Sequence, residues 1–177
     1  MGAAIADDPR GPFVDASRKP LICQADEGGS IDASPYLHTD GTAYLYWKND
    51  GNHIGRPTHL YGQRLTTDGL TLTGERVRLL TNDKPWQAHV IEAPQMVQHD
   101  GRLALSVLLG ERLRHRRLRG RIRHRPDGST WLLYHAWPSE AIGSVTPGRQ
   151  LWLDRVDWAE GKPVVHGPTA TPQSLAG

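Results

Sequence analysis

Two carboxylates in this chain have similar local settings and could take part in acid–base chemistry. Asp32 lies in the segment Ile-Asp-Ala-Ser-Pro, and Glu92 lies in the segment Ile-Glu-Ala-Pro. A positioned carboxylic acid can donate a proton to a reacting group, and a carboxylate can accept one. The structural alternative is a loop-end residue that accepts backbone hydrogen bonds, the commoner role for an isolated carboxylate in this setting. A catalytic role therefore requires a fold that brings the two residues together.

The basic residues are unevenly distributed along the 177 residues. Residues 112–125 hold eight arginines and no acidic residue, whereas the rest of the chain has 13 Lys+Arg against 19 Asp+Glu. Such a tract could bind phosphates. Because interleaved aromatic residues for base stacking are absent, we favour a solvated or disordered loop over a nucleic-acid site.

The cysteine count and the hydropathy exclude two classes of protein. A single cysteine excludes an internal disulfide, and we expect Cys23 to be a buried small apolar residue. The longest apolar stretch, around 103–109, is too short to span a bilayer, so we expect no membrane association. The first residues contain no basic segment followed by a long apolar one, so we expect no export signal and a cytoplasmic chain as written.

The chain pattern predicts an antiparallel all-β fold. Asp-Gly pairs, which suit tight hairpin turns, occur at 40–41, 50–51, 68–69, 100–101 and 127–128. Short aromatic and aliphatic runs predict strands, and no helix is indicated outside the arginine tract. The predicted strands are 42–47, 60–65, 76–80, 102–109, 129–137 and 150–158.

Three of these segments repeat one plan, an Asp-Gly turn followed by a half-buried strand. They begin at Asp40, Asp100 and Asp127. Recurrence of this kind is typical of β-propeller blades. The interval from Gly101 to Gly128 is shorter than a blade of about 40–45 residues, so a blade is incomplete where the arginine tract lies.

With these repeats, four segments resemble glycoside hydrolase family 43, the five-bladed propeller glycosidases active on arabinose- and xylose-containing polysaccharides. They include the Ile-Asp-Ala-Ser-Pro and Ile-Glu-Ala-Pro motifs and cover 11–52, 60–106, 127–137 and 150–169. The resemblance implies a partial five-bladed propeller of about three to four blades. We expect residues 1–177 to form one incomplete domain with an irregular arginine-rich insert at 111–126.

The resemblance also implies roles for named residues. Glu92 matches the general acid, and Asp32 matches the aspartate that tunes and orients this acid. Inverting hydrolysis places such an acid about 6.5–9.5 Å from a carboxylate that activates water. His135 matches a histidine near a structural calcium ion on the propeller axis, although spacing alone favours a core histidine. Trp47, Trp86 and Trp137 are candidates for stacking on sugars, with burial in the core as the alternative.

Two departures from the family pattern predict impaired catalysis. The match begins after the part of the first blade that carries the family's general base, and Asp8 only imitates its Asp-Pro context. The arginine tract fits no blade strand facing a core, because nearly every second side chain would be charged. We hypothesise that the tract arose by a deletion or a reading-frame change, which the nucleotide sequence can test.

Three interpretations of function follow. The first is a glycosidase acting on arabinose- or xylose-containing polysaccharides by an inverting acid–base mechanism, with weak or absent activity. The second is an inactive remnant that still binds carbohydrate. The third, which we favour least, is a nucleic-acid-binding protein that uses residues 112–125. The expected partner is an oligo- or polysaccharide, and we expect open blade edges to promote self-association.

Overall fold

The computed structural model describes residues 1–87, 89–110, 119–141 and 143–172. Within these ranges the chain forms ten antiparallel strands and no α-helix, so the predicted all-β fold is confirmed. Short 3-10 helices cover Ala25–Glu27, Gly51–Ile54, Pro85–Gln87 and Ser139–Ala141. The strands are β1 (Ser30–Leu37), β2 (Ala43–Asn49), β3 (His59–Leu65), β4 (Leu72–Thr81), β5 (Val90–His99), β6 (Arg102–Gly110), β7 (Arg119–His124), β8 (Thr130–Ala136), β9 (Gln150–Ala159) and β10 (Lys162–Val165).

The strands form three sheets, each arranged as a meander. The first sheet has the order β1-β2-β3-β4, the second is the hairpin β5-β6, and the third has the order β7-β8-β9-β10. The first strand of each sheet contacts its counterpart in the next, since β5 packs against both β1 and β7. This is the blade arrangement of a partial propeller, and we call β1, β5 and β7 the inner strands.

The local sequence explains most of the hairpins. At Gly41 and Gly128 the φ angles are 83° and 82°, which glycine adopts without steric cost. The six predicted strands correspond to β2, β3, β4, β6, β8 and β9. The pair Asp50-Gly51 differs from the prediction, because Gly51 begins a 3-10 helix and not a hairpin turn.

Two apolar cores stabilise the sheets. One face of β2 and β3 packs Leu45, Trp47 and Tyr61 against Ile22, and Met1 also lies against this cluster. The second core lies between β5 and the third sheet and contains Val97, Ile122, Leu132, Tyr134, Ala136 and Val156. Cys23 lies outside both clusters and is exposed, so the prediction of burial is wrong for this residue. No helix in the described part of the chain has the length and apolar character needed to cross a membrane.

The arginine tract is partly a strand, which corrects the expected irregular insert at 111–126. Residues 119–124 form β7 and pair in full register with β8, while 111–118 lie outside the described residues. Alternation along a strand explains the fit, since successive side chains point to opposite faces. Ile122 is buried in the second core, and Arg121 and Arg123 are exposed on the other face.

A buried carboxylate anchors the segment that follows β10. Asp154 in β9 is fully buried. It accepts hydrogen bonds from the Tyr134 hydroxyl and from the Thr169 amide (3.1 Å) and hydroxyl (2.5 Å). Asp154 thus joins the centre of the third sheet to the segment beyond its last strand.

Replacing Asp154 by Ala should destabilise the protein by about 3 kcal/mol, because it removes the buried acceptor of three hydrogen bonds. Asp157→Ala is the matched control, since Asp157 lies on the same strand with its side chain about half exposed. We expect Asp157→Ala to lower the free energy of unfolding by less than about 1 kcal/mol. Urea unfolding measures both, and equal losses would contradict this account.

Candidate active site

The candidate site lies where two inner strands are irregular. The β1–β2 register shifts between Ile31 and Ser34, and the β5–β6 register shifts between Glu92 and Gln95. Each irregularity contains a non-glycine residue in the left-handed region, Asp32 (φ 58°) and Ala93 (φ 51°). Such conformations cost about 1–3 kcal/mol each and persist only where the surroundings hold them. Bulges of this kind re-aim side chains next to functional sites.

These irregularities bring the two predicted carboxylates together. The Ala93 amide donates a hydrogen bond of 2.8 Å to Asp32 Oδ2. The Asp32 carboxylate therefore lies against the backbone of the residue that follows Glu92. Two residues separated by 60 positions in the chain therefore lie on neighbouring inner strands, with Asp32 bonded to the backbone beside Glu92. Their catalytic roles stay predictions.

A buried lysine completes this cluster. The Lys48 side chain is about 1% exposed. Its Nζ lies 3.8 Å from Glu92 Oε2 and 3.5 Å from Asp50 Oδ1. Strand alternation explains its direction, because Trp47 points into the first core and the next residue must point to the opposite face. The ammonium group thus holds the Glu92 carboxylate against the first sheet.

Strand β5 is fixed from both sides by side chains that bond to backbone groups. The Ile91 amide donates to the buried Thr58 hydroxyl at 3.0 Å. The Gln95 amide group bonds both the carbonyl oxygen and the amide nitrogen of Ile122 in β7, each at 2.8 Å. Glu92 therefore lies on a strand that is anchored immediately before it and three residues after it.

A group of tyrosines lies on the face of the first sheet that Lys48 shares. The rings of Tyr44 and Tyr46 stack with centroids 6.4 Å apart, and Tyr36 lies 6.5 Å from Tyr46. Burial raises the pKa of Tyr36, and the charge of Asp40 adds to this effect. Burial likewise raises the pKa of Tyr46. Both phenols are therefore neutral donors at physiological pH, and Tyr36 donates to Gln98 of β5 at 3.4 Å.

The three predicted sugar-stacking tryptophans lie in different environments. Trp47 is fully buried, stacks on Tyr61 and donates to Gln24 at 2.6 Å, so it belongs to the core and offers no ring face to a ligand. Trp86 is 67% exposed in a 3-10 helix. Trp137 has the Arg149 guanidinium 4.4 Å above its ring. The tryptophans do not form one stacking platform.

His135 lies on β8, one strand out from the inner strand β7, in register with Arg119 and Leu151. The described residues contain no group of three His, Cys, Asp or Glu side chains that could hold a metal. Calcium prefers several oxygen ligands. The role of His135 near a calcium ion stays a prediction.

Two other acidic candidates have structural roles. Asp8 is engaged by Arg10, with which it forms two side-chain hydrogen bonds of 2.8 and 3.0 Å, and these bonds lower the pKa of Asp8. Asp50 accepts the Lys48 ion pair and precedes a 3-10 helix. Asn49, the last residue of β2, is buried and accepts a hydrogen bond from the His59 amide at 2.6 Å.

Sequence reasoning missed several residues that build the site, namely Lys48, Thr58, Gln95 and Arg121. A lysine after a tryptophan in a half-buried strand looks like a solvated residue. The one available signal is that successive side chains of a strand point to opposite faces. Once Trp47 is known to lie in the core, this alternation places Lys48 on the face towards the candidate site.

Comparisons with known proteins agree with this architecture. The family model described as Glycosyl hydrolases family 43 matches residues 1–108. No curated protein matches the chain.

Solved structures give the same result for the fold. A thermostable family-43 glycoside hydrolase superposes with a TM-score of 0.73 at 22% identity, covering 97% of this chain and 67% of that one. An endo-1,4-beta-xylanase from Bacteroides thetaiotaomicron superposes with a TM-score of 0.71 at 18% identity, and the match covers 93% of this chain and 66% of that one. An arabinoxylan arabinofuranohydrolase from Bacillus subtilis, in complex with cellotetraose, superposes with a TM-score of 0.71 at 13% identity. This match covers 99% of this chain and 46% of that one. The chain thus spans about two thirds or less of these proteins.

Replacing Lys48 by Met should destabilise the protein by about 3 kcal/mol, because it removes the cation from a buried group that also contains two carboxylates. Lys162→Met, at an exposed position of β10, is the control and should be nearly neutral. Denaturant midpoints compare the two variants. A Lys48→Met midpoint equal to that of the control would show that the ion pair does not hold the site.

Proposed function

This chain belongs to glycosyl hydrolases family 43, and we propose that it binds arabinose- or xylose-containing oligosaccharides and acts on their glycosidic bonds with Glu92 as the general acid. The observation that carries the proposal is the Ala93–Asp32 hydrogen bond, which places Asp32 beside the backbone of Glu92. The relative bound to cellotetraose supports an oligosaccharide as the class of ligand.

In the proposed step, Glu92 donates its proton to the glycosidic oxygen as the bond to the anomeric carbon breaks. A water molecule attacks the opposite face of the sugar and loses a proton to a base, so the products are a hemiacetal of inverted configuration and an alcohol. Asp32 orients Glu92 through its bond to the neighbouring amide. Lys48, whose Nζ lies 3.8 Å from Glu92 Oε2, stabilises the carboxylate that forms once Glu92 has given up its proton.

The base is the weak part of this mechanism. Asp8, which imitates the family's Asp-Pro context, is occupied by Arg10. Loss of general-base assistance typically lowers a rate about 10²–10⁴-fold. We therefore propose that this chain hydrolyses slowly or only binds sugar, and the experiment has to separate these two results.

The first test is Glu92→Gln, which keeps the shape of the side chain but removes the transferable proton. We expect hydrolysis of an arabinoxylan oligosaccharide to fall at least about 10²-fold with sugar binding retained. The loss should be smaller on a 4-nitrophenyl glycoside, whose leaving group needs little protonation. Glu75→Gln, at an exposed position of β4, is the control and should hydrolyse both substrates as the unchanged protein does.

Sodium azide provides a second readout, which tests whether a general base acts in this chain. Azide attacks the anomeric carbon without first losing a proton, so it should accelerate release of 4-nitrophenol if the acid is intact and the base is absent. Sugar binding without turnover, with or without azide, would favour the binding remnant. The proposal would be overturned if the protein neither bound nor hydrolysed arabinosides and xylosides.

A further inference from the structure

The described end of the arginine tract contacts the candidate site directly. Arg121 in β7 donates from Nη1 to the Ser34 hydroxyl in β1 at 3.0 Å, and its Nη2 lies 3.5 Å from the carbonyl oxygen of Ala33. Ala33 and Ser34 immediately follow Asp32. A guanidinium group from the third sheet therefore reaches the bulge that carries one of the two carboxylates.

With this contact, side-chain hydrogen bonds join each of the three inner strands to the other two. Asp32 links β1 to β5 through Ala93. Gln95 links β5 to β7 by bonding both backbone groups of Ile122. Arg121, the residue before Ile122, then links β7 back to β1. Each link uses a side chain, because the inner strands belong to different sheets and share no backbone ladder.

We infer that Arg121 is a positioning residue that holds the Asp32 bulge in its left-handed conformation and so keeps Asp32 bonded to the backbone beside Glu92. An aspartate at φ 58° needs surrounding contacts to stay there. The planar guanidinium supplies two donors in fixed geometry to consecutive residues of the bulge, which a lysine cannot reproduce. The inference gives part of the arginine tract a role in the site, and it rests on the proposed function for its catalytic meaning.

The direct test is amide hydrogen exchange at Ala93 in the ligand-free protein, measured residue by residue by NMR. In Arg121→Ala we expect exchange at Ala93 to rise about tenfold, the factor that corresponds to one net hydrogen bond to a charged group. Arg123→Ala is the matched control, because Arg123 lies two residues further along the same face of β7 and is also exposed. The control should change exchange at Ala93 by less than about twofold.

Two further variants distinguish positioning from general stability. Arg121→Lys should restore only part of the protection, because it keeps the charge but loses the forked geometry. Ser34→Ala removes the hydroxyl acceptor, and combining it with Arg121→Ala should add little to either single change if the two residues act through one contact. If Arg121→Ala fails to fold, Ser34→Ala alone reports on the same link.

The outcomes separate this inference from the proposed function. Faster exchange at Ala93 in Arg121→Ala but not in Arg123→Ala supports positioning, even if no variant hydrolyses sugar, in which case only the proposed function fails. Where turnover is measurable, Arg121→Ala should lower kcat more than it changes KM. Unchanged exchange at Ala93, or an equal rise in both arginine variants, would overturn the inference.

Discussion

The hydrogen bond from the Ala93 amide to the Asp32 carboxylate joins two sheets that share no ladder. Each sheet pairs its own strands, and the inner strands are joined across sheets by side-chain hydrogen bonds. The bulge in β5 leaves the Ala93 amide to Asp32, whereas Thr58 bonds the amide of Ile91 before the bulge and Gln95 bonds Ile122 in the regular strand β7. The irregularities in β1 and β5 therefore accompany the contact that brings Asp32 to the backbone beside Glu92.

Charge at the site follows from the same geometry. Because Trp47 is drawn into the first core, Lys48 must point the other way, where a buried ammonium group needs carboxylates nearby. Glu92 and Asp50 supply them. Packing on one face of β2 thus determines the electrostatics on the other. The arginine that reaches across from β7 adds a second cation, held by neutral acceptors and not by an acid.

The sequence patterns were informative for the outer strands and poor for the inner ones. Aromatic or aliphatic runs after Asp-Gly turns predicted β2, β6 and β8. Strands β1 and β5 were not predicted by pattern, since each contains a proline, a bulge and a residue with positive φ. Strand β7 was excluded on charge, although Ile122 provides a buried contact. Family resemblance identified Asp32 and Glu92, whereas the supporting residues depend on contacts across sheets that no local pattern encodes.

The two-stranded sheet has a consequence for how the protein could be divided. A lone hairpin is barely stable in water, so β5–β6 depends on the sheets at its two sides. A chain severed in the connection between β4 and β5 would separate Asp32 from Glu92, and the second piece would lack the partner that holds its leading strand. Reassociation of the pieces would rebuild the acidic pair, which makes this connection a natural place for a split-protein reporter.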